Sequence, residues 1–140
     1  LSRKLARELS FKILFAIDAG GNTVEEAFKI AVDKPLNEDA KVFVLNEVNG
    51  VLERKEQIDD IIDDYSIDWR VERLNVSDRN ILRIAIYEMF FCDDIPLSVS
   101  INEAVEIAKK YGDAKSPQFV NGVLGAVARD IERLRPNFSV

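Results

Sequence analysis

From residue 96 to residue 135 the apolar positions recur every three or four residues, the spacing of helices that each bury one face. Val120, Leu124, Val127, Ile131 and Leu134 form one row, with Phe119 and Val123 beside it. Upstream, Ser100 and Glu103 make a capping-box pair that opens a helix, and Gly112 reads as the left-handed residue that closes it. After Asp113-Ala114-Lys115, Ser116 fits a cap and Pro117 the first helical position. Gly122 and Gly125 thin the last helix, which predicts close approach of another backbone.

The same period runs through most of the chain. Ser2 caps a first helix reaching about Asp18 and closed by Gly20-Gly21, and Thr23 with Glu26 is a second capping box. Asn37 opens a helix with Val42, Phe43, Leu45, Val48 and Leu52 inward; Ile58, Ile61, Ile62 and Tyr65 continue the row after a break near Glu53 to Glu56. Trp69 and Leu74 are expected to anchor a short turn of helix. Ser77 is placed to cap DRNILRIAIYEMFF, whose wide apolar face (Ile81, Leu82, Ile84, Ala85, Ile86, Met89, Phe90) marks a central helix with neighbours on several sides. Pro35, Pro96, Pro117 and Pro136 all fall where a helix should start or stop, so the fold class is all-α. Ile95 to Ile101 alternate like a strand, but with nothing to pair with they read as an extended lead-in. VNGVL occurs at Val48–Leu52 and Val120–Leu124, which fits either two related halves or a shared need for glycine at a helix crossing.

A chain of 140 residues suits one domain that buries roughly 70% of its unfolded surface. We expect that domain over residues 1–140, with helical halves at about 1–66 and 67–140. No apolar run approaches a membrane span and no secretory pattern opens the chain, which predicts a soluble cytoplasmic protein. Leu1 is an unusual first residue. Cys92, the single cysteine, reads as a small buried hydrophobe. The absence of histidine removes triads and imidazole chemistry, and Gly20-Gly21-Asn22-Thr23 lacks the spacing and lysine of a P-loop. Neither an enzyme nor a cofactor or metal is expected. Asp59, Asp60, Asp63 and Asp64 read as a solvated helix face.

The net charge of −6 is unevenly spread: residues 13–52 carry −4 and residues 53–68 carry −5, while Arg3, Lys4, Arg7 and Lys12 face only Glu8 at the amino terminus. A local basic face can hold phosphate while acid elsewhere repels it. At 100° per residue, Leu5, Ala6, Leu9, Ile13, Ala16 and Ile17 gather on one side of the first helix. Arg3, Lys4, Arg7, Phe11, Leu14 and Phe15 gather on the other. Cations beside exposed rings are how single-stranded RNA is commonly held; the alternative is that the rings bury against a second element.

The block INEAVEIAKKYGDAKSPQFVNGVLGAVARD, preceded by ILRIAIYEM and the amino-terminal SRKLARELSFKILF, resembles the NusB family of bacterial transcription antitermination factors. The three blocks, in this order and at this separation, cover the chain nearly end to end, most weakly between Gly20 and Trp69. The resemblance implies a NusB-like bundle of about seven helices in two packed halves. It implies a non-catalytic function: binding the single-stranded boxA element of nascent RNA with ribosomal protein NusE, so that the RNA polymerase antitermination complex reads through ribosomal RNA operons. On this basis Arg3, Lys4 and Arg7 would hold the RNA backbone, Phe15 and Phe119 would stack bases, and Lys115 and Ser116 would contact RNA. Asp78 would lie at the protein-partner surface. The chain departs from the family where Leu5 and Ala6 interrupt the basic run and where Phe15 stands in place of a tyrosine. Two rival readings are a NusB-like domain of a ribosomal RNA cytosine methyltransferase and a homodimer contact made by the aromatic-basic face. Removing charge at Arg3 and Arg7 is expected to weaken RNA binding with little loss of thermal stability.

Overall fold

The computed structural model describes residues 1–138. Among these residues all regular structure is helical: α1 (Arg3–Gly20), α2 (Val24–Ala31), α3 (Glu38–Glu53), α4 (Lys55–Tyr65), a 3-10 turn (Val71–Arg73), α5 (Val76–Phe91), α6 (Leu97–Tyr111), α7 (Ser116–Arg129), the single turn α8 (Ile131–Leu134) and a second 3-10 turn (Arg135–Phe138). α8 prolongs α7 after a break at Asp130, so seven helices exceed one turn.

Local chemistry sets several boundaries. Ser2 Oγ accepts from the Leu5 N–H at 3.1 Å, Thr23 and Glu26 form the reciprocal capping box, and Asn37 Oδ1 accepts from the Ala40 N–H at 2.8 Å. α1 ends at Gly21, whose φ of 66° is the left-handed conformation glycine adopts without cost.

α5 is the hub, packing against α1, α3, α4, α6 and α7. Ile81, Leu82, Ile84, Ala85, Ile86 and Met89 are buried on it, and one apolar cluster joins them to Ala6 and Ile13 of α1, Val48 of α3, Ile62 of α4 and Leu124 of α7.

Several expectations change. α6 begins at Leu97, so residues 97–101 are helix rather than an extended lead-in. Pro96 presets the entry, and the Ser100 hydroxyl donates inward to Glu88 Oε1 at 2.7 Å instead of capping. Gly112 is extended (φ −90°, ψ −174°); it is required for space, since a Cβ there would lie 2.4 Å from the Ser116 Cβ and 2.8 Å from the Ala108 carbonyl oxygen. Asn75, not Ser77, caps α5, accepting from the Asp78 N–H at 2.7 Å. Val71 and Leu74 anchor the short turn while Trp69 stays exposed. Val44 and Val51 face inward on α3 and Val42 faces out. The two glycines of the repeated VNGVL also differ: a Cβ on Gly50 would meet the Tyr87 ring at 2.2 Å, whereas Gly122 has nothing within 4 Å. Among the described residues, no neighbouring backbone lies within 4 Å of a Cβ placed on Gly122 or Gly125.

Two polar networks fix α1 against α5. Arg7, only 3% exposed, donates through Nε to Glu88 Oε2 at 2.6 Å. Asp18 accepts from Arg79 at 2.6 Å, from Asn80 at 2.8 Å and from Arg83 at 3.1 Å. Arg83 also grips Asp59 of α4 with two bonds of 2.8 and 3.0 Å. Asp59 and Asp63, expected on a solvated face, therefore have structural partners, Asp63 accepting from the Val71 N–H at 2.7 Å. Burial penalises the Asp18 charge, but Arg79 and its other partners outweigh that and hold the carboxyl down at about 2.

Candidate nucleic-acid interface

Because α1 turns Arg7, Ser10 and Leu14 inward, its outward face is rotated from the one the pattern suggested and carries Lys4, Leu5, Lys12 and Phe15. Phe15 is 37% exposed, while Phe11, expected beside it on the outer face, is buried. Arg7 is a correction of the same kind: its guanidinium neutralises Glu88 in the interior and is withdrawn from any phosphate at the surface. Twelve residues separate Arg3 from Phe15, about 18 Å of helix. Arg3 lies over the Phe43 ring of α3 at 4.5 Å from its centroid, beside a groove of about 680 Å³ that Tyr87 and Phe91 also line. Lys4 opens on a groove of about 260 Å³ between α1 and α6, with Glu103, Glu106 and Lys110.

Farther along the α1–α6 seam, Glu8 accepts from Lys110 Nζ at 2.5 Å and from the Tyr111 hydroxyl. Partial burial raises the Glu8 carboxyl, but these two bonds overcome that and keep it below its ordinary range. The acid that interrupts the amino-terminal cations is thus neutralised in place, and its partner Tyr111 is held down on α1. The Tyr111 ring packs on Phe11 with centroids 5.1 Å apart, and Lys12 Nζ stands 5.9 Å from its centroid. Phe11, Lys12, Phe15, Ser77 and Tyr111 together line a second groove of about 260 Å³.

The turn into α7 is built by Asp113. Its Oδ1 accepts from the N–H groups of Lys115 (2.8 Å) and Ser116 (3.1 Å), and Ser116 Oγ accepts in return from the Asp113 N–H at 3.0 Å. This is a capping box displaced three residues upstream of the expected cap. Its consequence is a second correction: Ser116 is 1% exposed with its hydroxyl committed to the turn, so it offers nothing to RNA. Lys115 is exposed and Phe119 half-buried. Asp78, expected at a partner surface, is buried beside this turn. Its Oδ1 has no hydrogen-bond partner, and burial, with Asp113 nearby, pushes its carboxyl above the usual range.

The structure therefore leaves Arg3, Lys4, Phe15, Lys115 and Phe119 accessible and removes Arg7, Ser116 and Asp78. It adds Lys12, Ser77 and Tyr111. Lys12 lies three residues before Phe15 and so on the same helix face; the signal for Tyr111 was the pair Lys110-Tyr111 just ahead of the turn. Cys92 is half-buried, and burial together with Glu47, Glu88 and Asp94 pushes its thiol up to about 12. Among the described residues no cluster of three or more acidic or cysteine side chains is placed to hold a metal, and no helix is long and apolar enough to cross a membrane.

Comparison with known proteins gives concordant results. The model of the NusB family matches residues 4–129. The chain is 46% identical over 138 residues to the transcription antitermination protein NusB of Pelotomaculum thermopropionicum, covering 97% of this chain and 95% of that one. It is 43% identical to the Bacillus subtilis protein of the same name, covering 95% and 99%. The structure of T. maritima NusB superposes with a TM-score of 0.86 at 38% identity, covering 93% of this chain and 92% of that one. A structure of antitermination factors NusB and NusE in complex with dsRNA superposes with a TM-score of 0.82 at 32% identity, covering 91% and 96%.

Proposed function

The chain belongs to the NusB family, and from that premise we propose that it is a transcription antitermination factor. It binds the boxA element of nascent RNA together with ribosomal protein NusE, and so helps the RNA polymerase antitermination complex read through ribosomal RNA operons in the cytoplasm. The observation that carries this reading is the likeness, over nearly the whole length of both chains, to NusB captured with NusE and RNA. The near-complete coverage of the antitermination relatives favours it over a domain of a methyltransferase.

The protein makes and breaks no covalent bond in this role; it is a recruiter. Arg3, Lys4 and Lys115 hold phosphates, while Phe15 and Phe119 offer ring faces to unpaired bases. Each cation that displaces a condensed counterion from single-stranded RNA adds about 0.7 to the slope of log affinity against log salt. Acid on α4 and on the loops remote from these cations keeps the strand from binding elsewhere.

The test is a titration of fluorescent boxA RNA, with and without NusE, against a scrambled RNA of equal length. Tighter binding of boxA, strengthened by NusE, is expected, and Lys4→Gln with Lys115→Gln should lower both affinity and salt slope. Equal affinity for the two RNAs in the presence of NusE would refute the assignment.

A further inference from the structure

Resting on the RNA reading above, we propose that the groove between α1, α6 and the start of α5 is a slot for one nucleobase, whose edge is read by Ser77. Phe11, which is buried, forms the floor. Phe15 and Tyr111 form the walls, their rings 6.1 and 5.1 Å from that of Phe11 between centroids. The groove volume of about 260 Å³ is large enough to admit a nucleobase. Such a slot suits a single-stranded nucleotide turned out of its stack, because an unpaired base has two apolar faces and a polar edge to satisfy.

The polar groups stand where that chemistry needs them. Lys12 lines the slot and is exposed, its ammonium 5.9 Å from the Tyr111 centroid, within reach of the phosphate of an inserted nucleotide. Ser77 lines the slot and is half-exposed. Because Asn75 makes the cap of α5, the Ser77 hydroxyl is not spent on the helix start and can donate to or accept from a base edge. The Tyr111 hydroxyl donates to Glu8. The Glu8 carboxylate, paired with Lys110, is turned to the phenol instead of to the RNA.

The experiment replaces each nucleotide of boxA RNA in turn by an abasic one and measures affinity for the full chain with NusE. For the wild type, one abasic position should weaken binding by about 5- to 150-fold, the range for losing one stacked base. Tyr111→Ala should weaken intact RNA by a similar factor, yet bind the RNA abasic at that one position as the wild type does. Tyr111→Phe, which keeps the ring, should retain most of the affinity and reports on folding. Ser77→Ala should reduce discrimination among the four bases at that position by roughly two- to tenfold, and Lys12→Gln should lower the salt slope by about 0.7. Tyr111→Ala binding intact RNA like the wild type would overturn the slot, as would an equal loss at every abasic position, and RNA binding itself would stand. A wild type that does not distinguish boxA from scrambled RNA would instead overturn the antitermination reading and the slot with it.

Discussion

Glu47 offers a sharp test of the interior. It lies on α3, 2% exposed, with neither carboxylate oxygen hydrogen-bonded. Facing it are Glu88 of α5 and Arg7 and Ser10 of α1. The Arg7 guanidinium also lies 3.9 Å from Glu103 of α6, and Ser100 of α6 donates to Glu88. One guanidinium cannot neutralise two buried carboxylates. Burial first, and Glu88 second, raise the Glu47 carboxyl well above its ordinary value, whereas Glu88, paired with Arg7, remains ionised. The neutral arrangement is a protonated Glu47 beside the Arg7–Glu88 ion pair.

The sign follows from linkage. With the folded value raised, the folded state retains a proton that the unfolded chain releases. The contribution is therefore intact below the unfolded value and is lost as pH rises from there through the folded value, at about 1.4 kcal/mol per pH unit. Glu47→Gln keeps the shape of the protonated acid and removes the titration. Near pH 4 the variant and the wild type should have similar stability, and above that the variant should gain about 1.4 kcal/mol per unit until the folded-state value is passed, where the difference levels off. For 140 residues the unfolding entropy is about 0.3 kcal/mol/K, so the melting temperatures should diverge by about 5 °C per pH unit. Thermal unfolding of both proteins from pH 4 to pH 8 measures this. A difference that stays constant across the range would refute the account of a protonated Glu47.

Other consequences follow from the same geometry. Arg7→Ala strands the Glu88 charge in the interior and should cost about 3–5 kcal/mol in urea unfolding, replacing the earlier expectation that this arginine is dispensable for stability. Asp18→Asn removes a carboxyl held at about 2, and so removes stability present above the unfolded value and lost as pH falls through 3.8 toward 2. The variant should be about 2 kcal/mol less stable at pH 7, and denaturant curves between pH 2 and pH 6 should show a flatter acid limb. Gly50→Ala drives a Cβ into the Tyr87 ring and should cost about 1–3 kcal/mol. Gly122→Ala meets open space and should stabilise α7 by up to about 1 kcal/mol, a contrast that thermal melts of the two variants can read directly.

What the sequence determined by itself were features settled among residues a few positions apart. The caps at Ser2, Thr23 and Asn37, the stop at Gly21 and the all-helical class depend on local hydrogen bonding and a 3.6-residue period, both visible in a linear string. The breadth of the apolar face on residues 76–91 likewise identified the hub. Motif resemblance supplied the family, but it could not say which of the carried-over side chains face outward. Arg3 and Arg7 are four residues apart on one helix; the first lies exposed over Phe43, and the second is drawn inside by Glu88, eighty-one residues away in the chain. Neither Ser77 nor Ser116 caps its helix start as expected, because Asn75 and Asp113 accept from the free backbone N–H groups there. Only the packing of α1 and α6 on the shared helix α5 brought Tyr111 beside Lys12 and Phe15. The direction in which a side chain points depends on which element covers it, and that is decided by contacts between residues remote in sequence.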